Sequence, residues 1–186
     1  MNESELKVHG SIFYLLRKFV LNNYSTKIWE DVLIGADLEG SVYDITGSYP
    51  LSEMESIVAS ASHLTGKNSN QLKELFGEFM VPDLFVLYYN YLNPEWRTFE
   101  VLENTERVMH GAVRHLNSTA NPPVLSVSRV NEKLLIIDYY SKRRMGSLAV
   151  GIIRGIAVYY KEAESINIIS LSNPDDERVQ IRVEAK

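Results

Sequence analysis

The chain has 186 residues, 45% of them hydrophobic and 23% charged, with a formal net charge of −5. This is the profile of a soluble globular chain, long enough for one well-packed domain or two intimate subdomains. The acidic balance argues against a general nucleic-acid binder, and the absence of cysteine excludes disulfides, thiolate zinc sites, iron–sulfur clusters and thiol nucleophiles.

The opening MNESELKVHG lacks the basic, apolar and small-residue order of a signal peptide. No apolar run reaches the ~18 residues of a membrane span. A cytoplasmic protein with neither a membrane nor a nucleic-acid partner is expected. The first elements carry apolar residues at helical spacing. In GSIFYLLRKFVLNN, Ile12, Leu15, Leu16, Phe19 and Val20 share one face. Ser25 reads as the N-cap of TKIWEDVLIGA, and Pro50 opens a helix that closes on Gly66. SNQLKELFGEFM and DLFVLYYNYL follow, then one long helix from Trp96 to Leu116.

After STANPPV the period changes to two. VLSVSRV, KLLIIDYYS, INIISLS and RVQIRVEAK read as strands, the last with Val179, Ile181 and Val183 on one side. Between the second and third lies RMGSLAVGIIRGIAVYYKEA, a nearly all-apolar helix whose Gly151 and Gly155 suit close packing against a neighbour. The expected class is α+β: a helical N-terminal subdomain, then a four-stranded antiparallel sheet with one inserted helix.

Two places carry chemistry. Of the four histidines, no two stand at the i, i+3 or i+4 spacing of a two-histidine metal face. His110 and His115 lie about 140° apart around the ~3.6-residue turn and cannot share a ligand. His110 is flanked by Val108, Met109 and Val113, so it looks inward more than His115 does. The second place is LLIIDYYSKRRMG, where Tyr139, Ser141 and Arg143 alternate. In a strand they would share one face as a row of two hydroxyls and a guanidinium, suited to a carboxylate or phosphate. The competing reading of that row is an exposed strand face. There is no G-x-S-x-G elbow, P-loop or dinucleotide-binding glycine fingerprint, and no catalytic residue is assigned.

DYYSKRR, with an aliphatic strand before it and GIIRGIA after it, resembles the Tyr-x-Ser-x-Arg motif of the H-NOX family, the heme-nitric oxide/oxygen binding domains. The resemblance covers essentially the whole chain. It extends to HGSIFYLLRKFV, to Trp29 in IWEDVL and to LKELFGEFM. It implies one domain over 1–186 binding heme b (iron protoporphyrin IX), with a distal helical part over 1–95, a proximal helix and sheet over 96–186, and the heme between the two. Tyr139, Ser141 and Arg143 would hold the heme propionates. His110, a dozen residues before NPPV, would be the proximal iron ligand, and Pro123 would press on the porphyrin.

On the distal side the resemblance places Leu16, Met80, Leu84, Leu148 and Ile152. Leu148 stands where oxygen-binding members carry a tyrosine donor, with Tyr14 as the alternative donor if the first helix is rotated. Bound dioxygen gains from a hydrogen-bond donor and NO far less. The implied function is therefore an NO sensor that also takes CO and holds O2 weakly or not at all. It would not be an enzyme. In the family mechanism NO weakens the trans bond to His110 and frees its helix. With the chain ending at Lys186, the signal would pass to a separate partner, a histidine kinase or a cyclic-di-nucleotide enzyme. An oxygen-binding member of the same fold, a heme-free interaction module and, last, an enzyme on a phosphorylated ligand are the competing readings.

Overall fold

The computed structural model of the protein describes residues 6–116 and 121–186. It divides into two compact units, one ending at Phe76 and one running Gly77–Lys186. The division falls inside a helix, α4 (Ser69–Leu87). Residues Ser118, Thr119 and Ala120 of the expected STANPPV loop lie outside the described residues.

In the first unit β1 (Lys7–His9) leads into α1 (Gly10–Asn23), followed by α2 (Thr26–Gly35), β2 (Ser48–Pro50), α3 (Leu51–Thr65) and the start of α4 (Ser69–Leu87). The caps explain the boundaries. Ser25 Oγ accepts from the Ile28 N–H at 3.2 Å. Gly66 closes α3 in the left-handed region at φ 70°, its N–H on the Ser62 carbonyl. Leu15, Leu16, Phe19 and Val20 are buried as expected, while Ile12 is only half-buried. Phe13, absent from the expected stripe, is fully buried instead, stacked on Tyr43 with ring centroids 4.3 Å apart and edge-on to Tyr49. The antiparallel pair of β1 and β2 was not expected, because three-residue strands show no period.

SNQLKELFGEFM and the first half of DLFVLYYNYL form not two elements but one helix, α4, with Pro82 inside it, and Tyr89–Tyr91 follow as a separate short 3-10 turn. A proline there removes the bond to the carbonyl four residues back, that of Glu78, and costs ~3 kcal/mol relative to Ala. Burial of Met80, Val81 and Phe85 on either side offsets this at roughly 1.5–3 kcal/mol for each large side chain. Gly155 of α7 (Gly146–Tyr159) lies against this stretch: a Cβ there would sit 2.7 Å from the Glu78 carbonyl and 2.6 Å from Val81. A Cβ at Gly77 would strike the Leu148 carbonyl and come within 2.8 Å of the Ile152 nitrogen. The two helices meet backbone to backbone. This is the close packing expected of the glycines in α7.

The remaining elements are α5 (Thr98–Asn104), a π-helical turn (Thr105–His110), α6 (Gly111–Leu116) and strands β3 (Val124–Asn131), β4 (Leu134–Tyr140), β5 (Ile166–Ser170) and β6 (Arg178–Ala185). The strands form one antiparallel sheet in the order β3-β4-β6-β5, with α7 inserted between β4 and β5. Leu135, Ile137 and Tyr139 face Val183, Ile181 and Val179 across β4 and β6, and all six are buried. They form one core with Val81, Phe85, Phe99, Val150, Ile153 and Ile156. The expected α+β class holds. Among the described residues no helix is long and apolar enough to cross a membrane.

Replacing Gly77 with Ala adds a methyl group against backbone, which cannot rotate away. The overpacking cost of about 1–3 kcal/mol exceeds the ~1 kcal/mol gained in helix propensity. The urea midpoint of Gly77→Ala is expected to fall; an unchanged or higher midpoint contradicts this packing.

Candidate functional site

The helix expected from Trp96 to Leu116 begins at Thr98 and widens midway into the π turn. The local cause is legible. Asn104 Nδ2 donates to the Glu100 carbonyl at 2.8 Å and Thr105 Oγ1 to the Val101 carbonyl at 2.7 Å. Such back-bonding competes with the helical N–H groups and bends helices. Single π turns recur at functional sites, and this one ends on His110.

The His110 side chain is 15% exposed, with Nδ1 2.9 Å from Glu106 Oε2. The same carboxylate accepts from Arg114 Nη2 at 2.7 Å and from the Leu125 N–H at 3.0 Å. Burial pushes the Glu106 carboxyl up, but the bonds from His110, the Leu125 backbone and Arg114 outweigh it and hold it below the usual carboxylate range. An ionised carboxylate only accepts, so the ring proton shared with Glu106 is carried by Nδ1. Burial pushes the His110 imidazole down, more than Glu106 and a bond to the Pro123 backbone pull it up. His110 is therefore neutral at neutral pH, the form that ligates metals.

Tyr139, Ser141 and Arg143 come together, but not as the expected row on a strand. β4 ends at Tyr140, and Ser141 and Arg143 lie in the turn after it, which passes through Arg144 at φ 52°. Strand alternation stops there, and local hydrogen bonds take its place. The Ser141 side chain is hydrogen-bonded to the Tyr139 hydroxyl, and Ser141 Oγ accepts from the Arg143 N–H at 3.2 Å. Arg143 Nη1 donates to the Asn121 carbonyl at 2.7 Å. Tyr139 and Ser141 are buried. Burial raises the Tyr139 phenol, against opposing effects of Ser141, Arg143 and the Met145 backbone, and lowers the Arg143 guanidinium. A cation and two hydroxyls withdrawn from water in this way suit an anion.

The segment 121–125 ties these residues to His110. Asn121 takes Arg143, the Pro123 backbone bonds the His110 ring, and Leu125 gives its N–H to Glu106. Leu125 is also paired with Tyr139 in the β3–β4 ladder. The His110 imidazole and the turn carrying Ser141 and Arg143 are thus both tied to one strip of chain. Among the described residues no group of three His, Cys, Asp or Glu side chains stands close enough to hold a metal ion.

Of the other histidines, His9, His63 and His115 are exposed. Met80 is buried and Leu84, Leu148 and Ile152 are half-buried, all in the second unit. Leu16 is buried in the first unit, where it lines a small apolar cavity with Phe19, Val20, Ile57 and Phe76. Tyr14, the alternative donor, is 49% exposed. Sequence reasoning missed Glu106 and Arg114. Their signal was present, since each stands four residues from His110, the spacing at which helical side chains meet.

The fold is an α+β domain in which a buried imidazole and a largely buried guanidinium are linked through one short segment. The Haem-NO-binding family model matches residues 9–168, and the chain belongs to that family, the H-NOX domains, which are heme-based gas sensors. Solved structures with the same fold include an H-NOX protein from S. oneidensis in the Fe(II)NO ligation state. It is 20% identical over 96% of this chain and 99% of its own, with a TM-score of 0.86. Fe(II) unliganded H-NOX from K. algicida is 21% identical over 96% and 97%, with a TM-score of 0.83. A point mutant of T. Tengcongensis H-NOX is 21% identical over 96% and 98%, also at 0.83.

The raised Tyr139 pKa fixes the sign of a pH effect. Its stabilising contribution is full below the unfolded value of about 10 and is lost as pH rises through the folded one. Between those values, stability of the wild type is expected to fall more steeply with pH than that of Tyr139→Phe, read as denaturation midpoints. Parallel profiles would contradict the buried phenol.

Proposed function

We propose that the protein senses NO, binding it at a ferrous heme b whose iron is held by His110, and relays the event to a separate signalling partner. The carrying observation is the buried His110 ring, its pKa lowered by burial and its Nδ1 on Glu106; its Nε2 would take the iron. Heme supplies an open iron position for a diatomic gas. The residues of the chain do the rest. Tyr139, Ser141 and Arg143 would take the propionates, and Pro123, whose backbone bonds the His110 ring, would press on the porphyrin.

Preference for NO rests on Met80, Leu84, Leu148 and Ile152, whose side chains hold no hydrogen-bond donor. Dioxygen, polarised on binding, gains from a donor that this set does not offer, whereas NO and CO need none. The imidazole is tied to Glu106, and Glu106 to Leu125 of β3, ties that would persist if the hold of a bound heme on His110 loosened. Displacement of the π turn is thereby transmitted to the sheet. A ligand-biased element of this kind is what an allosteric relay requires. We propose a histidine kinase or a cyclic-di-nucleotide enzyme as the partner, in the cytoplasm, with no catalytic role for this chain.

An absorption spectrum of the reduced protein, taken anaerobically and then with NO, CO and air, tests the reading. The expected result is a heme spectrum that shifts with NO and CO and shows no stable oxy form in air. A stable oxy complex would overturn the NO preference. Failure to bind heme after reconstitution would overturn the sensor and favour an interaction module.

A further inference from the structure

We propose, resting on the reading of His110 as the iron ligand, that Glu106 is a positioning residue that strengthens the hold of His110 on iron, and that Arg114 sets how far it does so. The arrangement consists of one carboxylate and three donors. Oε2 takes both His110 Nδ1 at 2.9 Å and the Leu125 N–H at 3.0 Å, while Oε1 takes Arg114 Nη2 at 2.7 Å. A charged acceptor draws the Nδ1 proton more strongly than a neutral carbonyl does. The ring then gains electron density at Nε2, and a carboxylate behind a ligating histidine raises its basicity and fixes its orientation.

Two of the three donors come from outside the ring and act differently on it. The Leu125 N–H anchors the carboxylate to β3 and fixes its direction. Arg114, one turn beyond His110 on α6, is a cation on the far oxygen. It withdraws charge from Glu106 and so limits what reaches the imidazole. The pair forms an opposed set, with Glu106 strengthening the iron–nitrogen bond and Arg114 tempering it. For a sensor whose response depends on releasing His110, this set governs how readily the ligand lets go.

The opposition gives a test that a merely structural role would fail. The iron–imidazole stretching band of the reduced, gas-free protein is recorded by resonance Raman spectroscopy for wild type, Glu106→Gln and Arg114→Gln. Glu106→Gln keeps a hydrogen-bonding oxygen and removes the charge, so the band is expected to fall in frequency, with heme loss faster by roughly 10-fold. Arg114→Gln is expected to move the band the opposite way. The Arg114 side chain is 39% exposed, so this variant decides the matter even if Glu106→Gln does not fold. Bands unmoved in both variants, an unmoved band in Arg114→Gln alone, or shifts in the same direction would overturn the proposal. A wild-type protein with no such band, or one whose band survives in His110→Gly, would instead overturn the assignment of His110 as ligand.

Discussion

One carboxylate with three donors holds the centre of the second unit together. Glu106 is ionised although half-withdrawn from water, because His110, Arg114 and the Leu125 N–H each take one of its lone pairs. Without those bonds, burial would favour its neutral form, and a protonated Glu106 would no longer fix the tautomer of His110. The π turn and the start of β3 are joined through one oxygen, Oε2. The local widening of the helix, the ring orientation and the seating of the first long strand depend on one another.

The second constraint is the end of β4. Six apolar or aromatic side chains of β4 and β6 face one another in strict register and bury Tyr139 among them. The chain then turns sharply, and polar groups that a strand would have spread along one face are gathered by hydrogen bonds. A guanidinium withdrawn from water is costly unless an anion or a set of acceptors receives it. The Asn121 carbonyl receives part of it. A dianionic cofactor edge bound there would stabilise the turn further.

Much of this was legible in the sequence because it is periodic or capped. The helices over 10–23 and 51–65, the Ser25 cap, four strands and the inserted helix all follow from spacing and punctuation. His110 stood out because its neighbours are apolar, and the motif residues because their side chains share a purpose. What escaped has physical reasons. Glu106 and Arg114 look like ordinary surface charges until His110 is buried between them. The turn after Tyr140 depends on Ser141 bonding its own neighbours, which no alternation predicts. Pro82 reads as a helix end, yet burial of the residues around it carries the helix through. Phe13 lies beside the predicted stripe and is buried by Tyr43, thirty residues away, a tertiary contact with no local signal.

The central claim is that His110 holds the heme iron, and replacing it with Gly tests this most directly. The ferrous spectrum of His110→Gly is recorded without and then with added imidazole. The account predicts loss of the native spectrum and its recovery when free imidazole fills the space. An unchanged spectrum in the variant, or one that imidazole cannot restore in a folded protein, would contradict it.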